Sequence, residues 1–127
     1  MDRRGVTLIE IMIAMVILTV VLLGMGRFLV GFSRSTMQAD ARTLAVTLAS
    51  QRLSEVRAAP NYGGLETIYV GTETAIPGFT GYVRRTTITH TGGPRPTFTN
   101  DFKTITVEVV APGLPQPVRK TIVVAAP

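Results

Sequence analysis

MDRRGVTLIEIMIAMVILTVVLLGMGRFLVGF, residues 1–32, governs how the rest of the chain is read. A short charged head and one glycine lead into an apolar run with a single acid, Glu10, near its start. No charged side chain occurs between Ile11 and Gly26. Thr19 is the polar exception, and its hydroxyl is expected to bond back to its own helix. At ~1.5 Å per residue this stretch makes ~24 Å of helix, short of the ~30 Å hydrocarbon core of a bilayer. Residues 6–9 before it and 28–32 after it make it long enough to span. A helix that is apolar on every side has no stable place in water, so a bilayer or a bundle of like helices must receive it.

Two ordinary readings compete for the segment. A cleaved secretory signal peptide would have an apolar core of roughly 7–15 residues, closed by a small-x-small site and a polar break. Here the core is longer, and the chain passes from Gly24 through Arg27 straight into a further amphipathic stretch. A plain single-pass anchor fits the length, but Glu10 argues against it. An ionisable group costs on the order of 2.5–3.5 kcal/mol at the centre of a spanning helix and less near its end, and it usually has a partner and a purpose.

Gly5-Val6-Thr7-Leu8-Ile9-Glu10, preceded by Arg3 and Arg4, resembles the processing site of type IV pilins and type II secretion pseudopilins. In that family a membrane peptidase cuts after the glycine. The new N-terminal residue is N-methylated, and the glutamate five residues into the mature chain is used in assembly. The resemblance implies cleavage between Gly5 and Val6, methylation of Val6 and an assembly role for Glu10. Val6 stands where the family usually has phenylalanine. The close resemblance covers roughly the first third of the chain and is one of architecture beyond it. The partners it implies are a prepilin peptidase, other pilin or pseudopilin subunits, an inner-membrane assembly platform and the lipid bilayer.

The chemistry of Glu10 can be stated without the family. A free amine at Val6 and a carboxylate at Glu10 lie four residues apart on one helix face, a weak local pair within one chain. Between two parallel helices staggered along their axes, the amine of one meets the acid of the other among lipid tails. Low dielectric strengthens that attraction and penalises either charge left alone.

With 127 residues the chain has room for one modest domain beside the apolar helix. It has no cysteine, which excludes disulfides and thiolate metal sites. The net charge is +5, and removal of residues 1–5 takes away one acid and two bases. No dense basic cluster accompanies that charge, so a solvated mixed surface is favoured over nucleic-acid binding. Arg3 and Arg4 precede the apolar run while Arg27 and Arg34 follow it, so positive charge barely discriminates orientation. The resemblance implies a bacterial inner-membrane protein with a cytoplasmic N-terminus and a periplasmic or extracytoplasmic C-terminal domain, destined for a pilus or pseudopilus.

The helix is expected to continue beyond the membrane, from Val6 to about Ala58. Residues 33–59 contain no proline and are rich in helix formers. Met37, Ala41, Leu44 and Leu48, with Val46, Ala49, Leu53 and Val56, make a broad apolar stripe. Arg57 suits the negative helix terminus, and Pro60 with the Asn61-Tyr62-Gly63-Gly64 turn ends the helix. Gly24, Gly26 and Gly31 allow either close helix–helix approach or a softened segment that bends on assembly.

After Gly64 the composition turns to threonine, valine, glycine and proline. Residues 67–70 are expected as a short strand, 81–90 as a β-prone stretch and 92–101 as a polar loop. In residues 103–110, Ile105, Val107 and Val109 share one face. In residues 118–124, Val118, Ile122 and Val124 share one face and Lys120 breaks the pattern. Strands so close in sequence imply an antiparallel meander, one face of which would cover Leu44, Leu48 and Val56. The expected fold class is α+β: a long N-terminal helix, membrane-spanning in its first half and amphipathic in its second, on a small antiparallel sheet. The expected parts are a leader at 1–5, an assembly half of the helix at 6–32, an amphipathic half at 33–59 and a β domain at 60–127.

No catalytic constellation, cofactor site or metal site is expected. His90 is isolated beside a Gly-Gly-Pro turn, and Glu66, Glu73, Asp101 and Glu108 are scattered. Arg84, Arg85 and Arg95, with Tyr82 and Phe98, would form at most a weak nucleic-acid patch. Neighbouring strand residues point to opposite faces, so Arg84 and Arg85 would not share it. The leading expectation is a non-enzymatic structural subunit, a minor pilin or pseudopilin. The run LASQRLSEVRA at 48–58 and the final threonine- and valine-rich strands resemble the I-type pseudopilins and V-type minor pilins. The alternatives are an anchored periplasmic domain binding a partner by its sheet edge, and a DNA- or ligand-binding pilus-tip subunit.

Overall fold

The computed structural model describes residues 5–93 and 100–127. These divide into two compact units at the Met37–Gln38 boundary. One helix, α1 (Leu8–Ala58), runs through the division. Up to Met37 it is exposed on all sides, and none of its most apolar 18-residue window is buried. This is the one helix among the described residues that is long and apolar enough to cross a membrane. Its hydroxyls are satisfied locally: Thr19 Oγ1 donates to the Met15 carbonyl at 2.8 Å and Thr36 Oγ1 to that of Phe32 at 3.1 Å.

The unit Gln38–Pro127 combines the rest of α1 with a short helix α2 (Leu65–Tyr69) and a four-stranded sheet. The strands are β1 (Gly71–Glu73), β2 (Val83–Gly92), β3 (Asp101–Val110) and β4 (Val118–Ala125). They pair antiparallel in sequence order, the expected meander. Each strand turns back on its predecessor, so β1 and β4 are the edges. Pro77-Gly78 and Pro112-Gly113 mark the turns, with Phe79 N bonded to the Ile76 carbonyl at 3.0 Å and Leu114 N to that of Ala111 at 3.3 Å.

Ile105, Val107 and Val109 of β3 are wholly buried, as their alternation implies. Against them lie Ala41, Ala45, Leu48, Ala49, Leu53 and Val56 of α1. Ala41, Leu48, Ala49, Leu53 and Val56 of the expected helix stripe are buried, and the stripe departs from expectation at Met37, Leu44 and Ala45. Leu44 is 42% exposed and Met37 70%, whereas Ala45 is fully buried. Ala41, Ala45 and Ala49 recur every fourth residue along the buried face. Val46 is half-buried.

Residues 67–70 do not form the expected strand. Leu65 and Tyr69 are one helical turn apart, and Leu65 is 1% exposed while Ile68 faces out. The Gly63-Gly64 turn starts that helical turn, and Ile68 N bonds to the Gly64 carbonyl at 3.1 Å. Burying Leu65 stabilises the unit by about 1.5–3 kcal/mol.

Glu73 on β1 ties the edge strand to both layers. Its carboxylate meets Arg52 of α1 and Arg84 of β2, each at 2.5 Å. Arg84 also donates to the mid-helix Leu48 carbonyl at 3.3 Å. A guanidinium offers five donors in a fixed fork, which suits it to bridge a carboxylate and a carbonyl at once.

Candidate processing and assembly site

Gly5, Val6 and Thr7 lie outside the helix and are exposed. The expected start at Val6 is thus corrected to Leu8. The Thr7 carbonyl accepts the first bonds, from Glu10 N at 3.1 Å and Ile11 N at 3.3 Å. The first amides of any helix lack internal partners, so the chain ahead of Leu8 is free to remain non-helical. The Gly5–Val6 amide therefore sits in exposed chain, the form a peptidase can extend across its active site. The other leader residues, Met1 to Arg4, lie outside the described residues.

Glu10 stands in the first turn of α1. Its charge there complements the positive helix end, an effect of about 0.3–1 kcal/mol. Among the described residues it has no ion-pair or side-chain hydrogen-bond partner. It is surrounded in sequence by exposed Leu8, Ile9, Ile11, Met12 and Ile13. A charge flanked by so much apolar surface is a poor solution for an isolated chain in lipid. The helix continues through Gly24, Gly26 and Gly31, and a Cβ at any of them would meet open space.

The basic residues considered for nucleic acid are placed as alternation requires. Arg84 is 7% exposed and held by Glu73, whereas Arg85 is exposed on the other face. Arg84 is turned into the interior and offers nothing to a phosphate backbone. Tyr82 is buried. Arg95 and Phe98 lie outside the described residues.

Of the scattered acids, Glu66, Glu73 and Glu108 each have a cation and Asp101 has a histidine. Glu66 pairs with Lys103 at 3.4 Å, and Glu108 with Arg119 at 3.3 Å. Asp101 meets His90 Nε2 at 2.6 Å and accepts from the Tyr62 hydroxyl at 3.0 Å. Lys103 donates to the Tyr62 carbonyl at 2.9 Å and lies over its ring at 4.8 Å. These contacts tie the loop after α1 to the ends of β2 and β3. The bond from His90, aided by Tyr62 and Lys103, holds the Asp101 carboxyl below its ordinary range. Burial, together with the Asp101 and Glu66 charges, pushes the Tyr62 phenol up to about 12. The spacing of these residues in sequence gave no sign of this cluster; the β2–β3 register His90↔Lys103 and Gly92↔Asp101 creates it. Among the described residues no group of three or more His, Cys, Asp or Glu would hold a metal ion.

Residues 1–26 match the family model for the prokaryotic N-terminal methylation motif. No curated protein and no solved structure matches the chain. The matched stretch contains Gly5, Val6 and Glu10 and ends inside the apolar part of α1. The chain thus carries the prokaryotic N-terminal methylation motif, the signature of type IV prepilins and pseudopilins, ahead of a pilin-like α+β arrangement of a long helix and a four-stranded antiparallel sheet.

Proposed function

We propose that this chain is a structural subunit, a minor pilin or pseudopilin, that polymerises through α1 into a type IV pilus or a type II secretion pseudopilus. Prepilin peptidase hydrolyses the Gly5–Val6 amide, taking up one water and leaving a carboxylate on Gly5 and an amine on Val6, which is then methylated. Residues 6–32 hold the mature chain in the inner membrane with its N-terminus cytoplasmic, and residues 33–59 carry the β domain at 60–127 outside. At the assembly platform the Val6 amine of an incoming copy meets the Glu10 carboxylate of its neighbour. In lipid that contact removes two isolated charges together.

The observation that carries this reading is the coincidence, within the matched residues, of an exposed non-helical Gly5–Val6 bond, a Glu10 without a partner among the described residues and an unburied apolar helix. Co-expression of the full chain with a prepilin peptidase, followed by intact mass determination, tests it. Loss of residues 1–5 is expected. A chain that keeps them is an anchored extracytoplasmic domain, and the reading fails.

A further inference from the structure

In the unit Gln38–Pro127 a groove lies between the last turns of α1 and the edge strand β4. It encloses ≈ 420 Å³ and is lined by Ser50, Leu53, Ser54, Arg57, Lys120 and Ile122, with Thr121 at its lip. Its floor is apolar and its walls are cationic and hydroxylic. Lys120 explains why the β4 pattern breaks. It occupies an inward position opposite Val107, between half-buried Val118 and Ile122. Its ammonium donates to Ser50 Oγ at 2.8 Å. That hydroxyl already donates to the Val46 carbonyl at 2.8 Å.

An ammonium has three donors and seeks a carboxylate when half-buried. Among the described residues neither Lys120 nor Arg57 has one. Among the described side-chain carboxylates of this unit, the one without an ion pair is Asp40, exposed on α1. Among the described residues Arg42 and Arg85 also lack a carboxylate, but neither lines this groove; Arg42 lines a smaller one with Leu114 and Arg119.

We propose that the groove between α1 and β4 receives the Asp40 carboxylate of a second copy of this chain. The inference rests on the proposed reading as a polymerising subunit. Asp40 is ten residues ahead of Ser50 and 17 ahead of Arg57 on the same helix. At ~1.5 Å per residue, roughly 15–25 Å of helix separates the acid from the groove, whereas the Val6–Glu10 contact needs a stagger of only ~6 Å, so the copy that supplies Asp40 is a more distant neighbour along the filament than the one whose amine meets Glu10. Acid and groove lie on different patches of one surface, which makes the contact heterologous. Contacts of that kind propagate into open helical filaments when the rotation does not close. Leu53 and Ile122 lower the effective dielectric around the pair, and the Ser54 hydroxyl supplies a further donor to the incoming carboxylate.

The native chain has no cysteine, which gives a direct test. The full chain carrying both Asp40→Cys and Arg57→Cys is expressed in its own host, oxidised, and run without reductant. Two positions this far apart on one helix cannot bridge within a chain. The expected result is a ladder of trimers and higher species for the double variant, with each single variant giving no more than dimers. In parallel, Asp40→Lys and Arg57→Glu are each expected to lower the yield of sheared filaments about tenfold, and their combination to restore it. Lys120→Glu is expected to behave like Arg57→Glu. Filaments without a ladder, or charge reversals without effect, overturn the inference and leave the proposed function standing. Loss of filaments on groove reversal but not on Asp40→Lys means that the acid comes from a different subunit, which also overturns it. Absence of both processed chain and filament overturns the proposed function and this inference together.

Discussion

Glu10 is the only acid between Val6 and Met37, and it carries the assembly argument. Within its own chain it sits at a helix end that tolerates it; among lipid tails it gains most from another copy's amine. Glu10→Ala is therefore expected to leave the chain in the membrane fraction and to remove it from filaments. Incorporation at the wild-type level contradicts that. At the far end of the chain, Tyr62 and Asp101 make the fold sensitive to pH in opposite directions. The folded phenol ionises at about 12 against an ordinary 10.0, so its contribution is complete below pH 10 and is lost as pH rises towards 12. The folded Asp101 carboxyl lies below its ordinary 3.8, so its contribution is complete above that pH and is lost on further acidification. Tyrosinate absorbance should show a late-titrating phenol that is lost in Tyr62→Phe. A high-pH limb unchanged in that variant contradicts the assignment.

At the scale of elements, much was legible. The extent of the long helix to Ala58, the inward face of β3 and the antiparallel meander follow from unbroken helix formers, strict alternation and short turns. The helix stripe was legible at Ala41, Leu48, Ala49, Leu53 and Val56, but not at Ala45, because its neighbour Leu44 is the more hydrophobic of the two. The helical turn at Leu65 was hidden by the β-prone look of Thr67-Ile68-Tyr69-Val70. The proposed processing site was legible because its pattern is local, whereas the proposed α1–β4 groove required knowing which face of β4 meets which turn of α1. Two substitutions probe this scale. Ala45→Leu should destabilise the unit by about 1–3 kcal/mol through overpacking. Leu44→Ser should stay within about 0.5 kcal/mol. Thermal unfolding of the detergent-solubilised chain separates them, and the reverse order contradicts the packing described. Gly92 closes β2 with φ +95, and a Cβ there would run into the Asn100 carbonyl. Gly92→Ala should cost about 1–3 kcal/mol in the same measurement, and a neutral result contradicts that geometry.

At the scale of the molecule, the two units answer to different surroundings. The residues up to Met37 have no core of their own and depend on lipid or on like helices. The unit Gln38–Pro127 has a core built between α1 and the sheet, held at one edge by Arg52, Glu73 and Arg84. Such a division suits a subunit whose first part is traded between bilayer and filament while its second part stays folded. The most direct test is the intact mass of this chain recovered from the sheared filament fraction of its own host. The account predicts a chain that begins at Val6, methylated and lacking residues 1–5. A chain that retains Met1 to Gly5, or one that stays in the membrane and never enters that fraction, contradicts it.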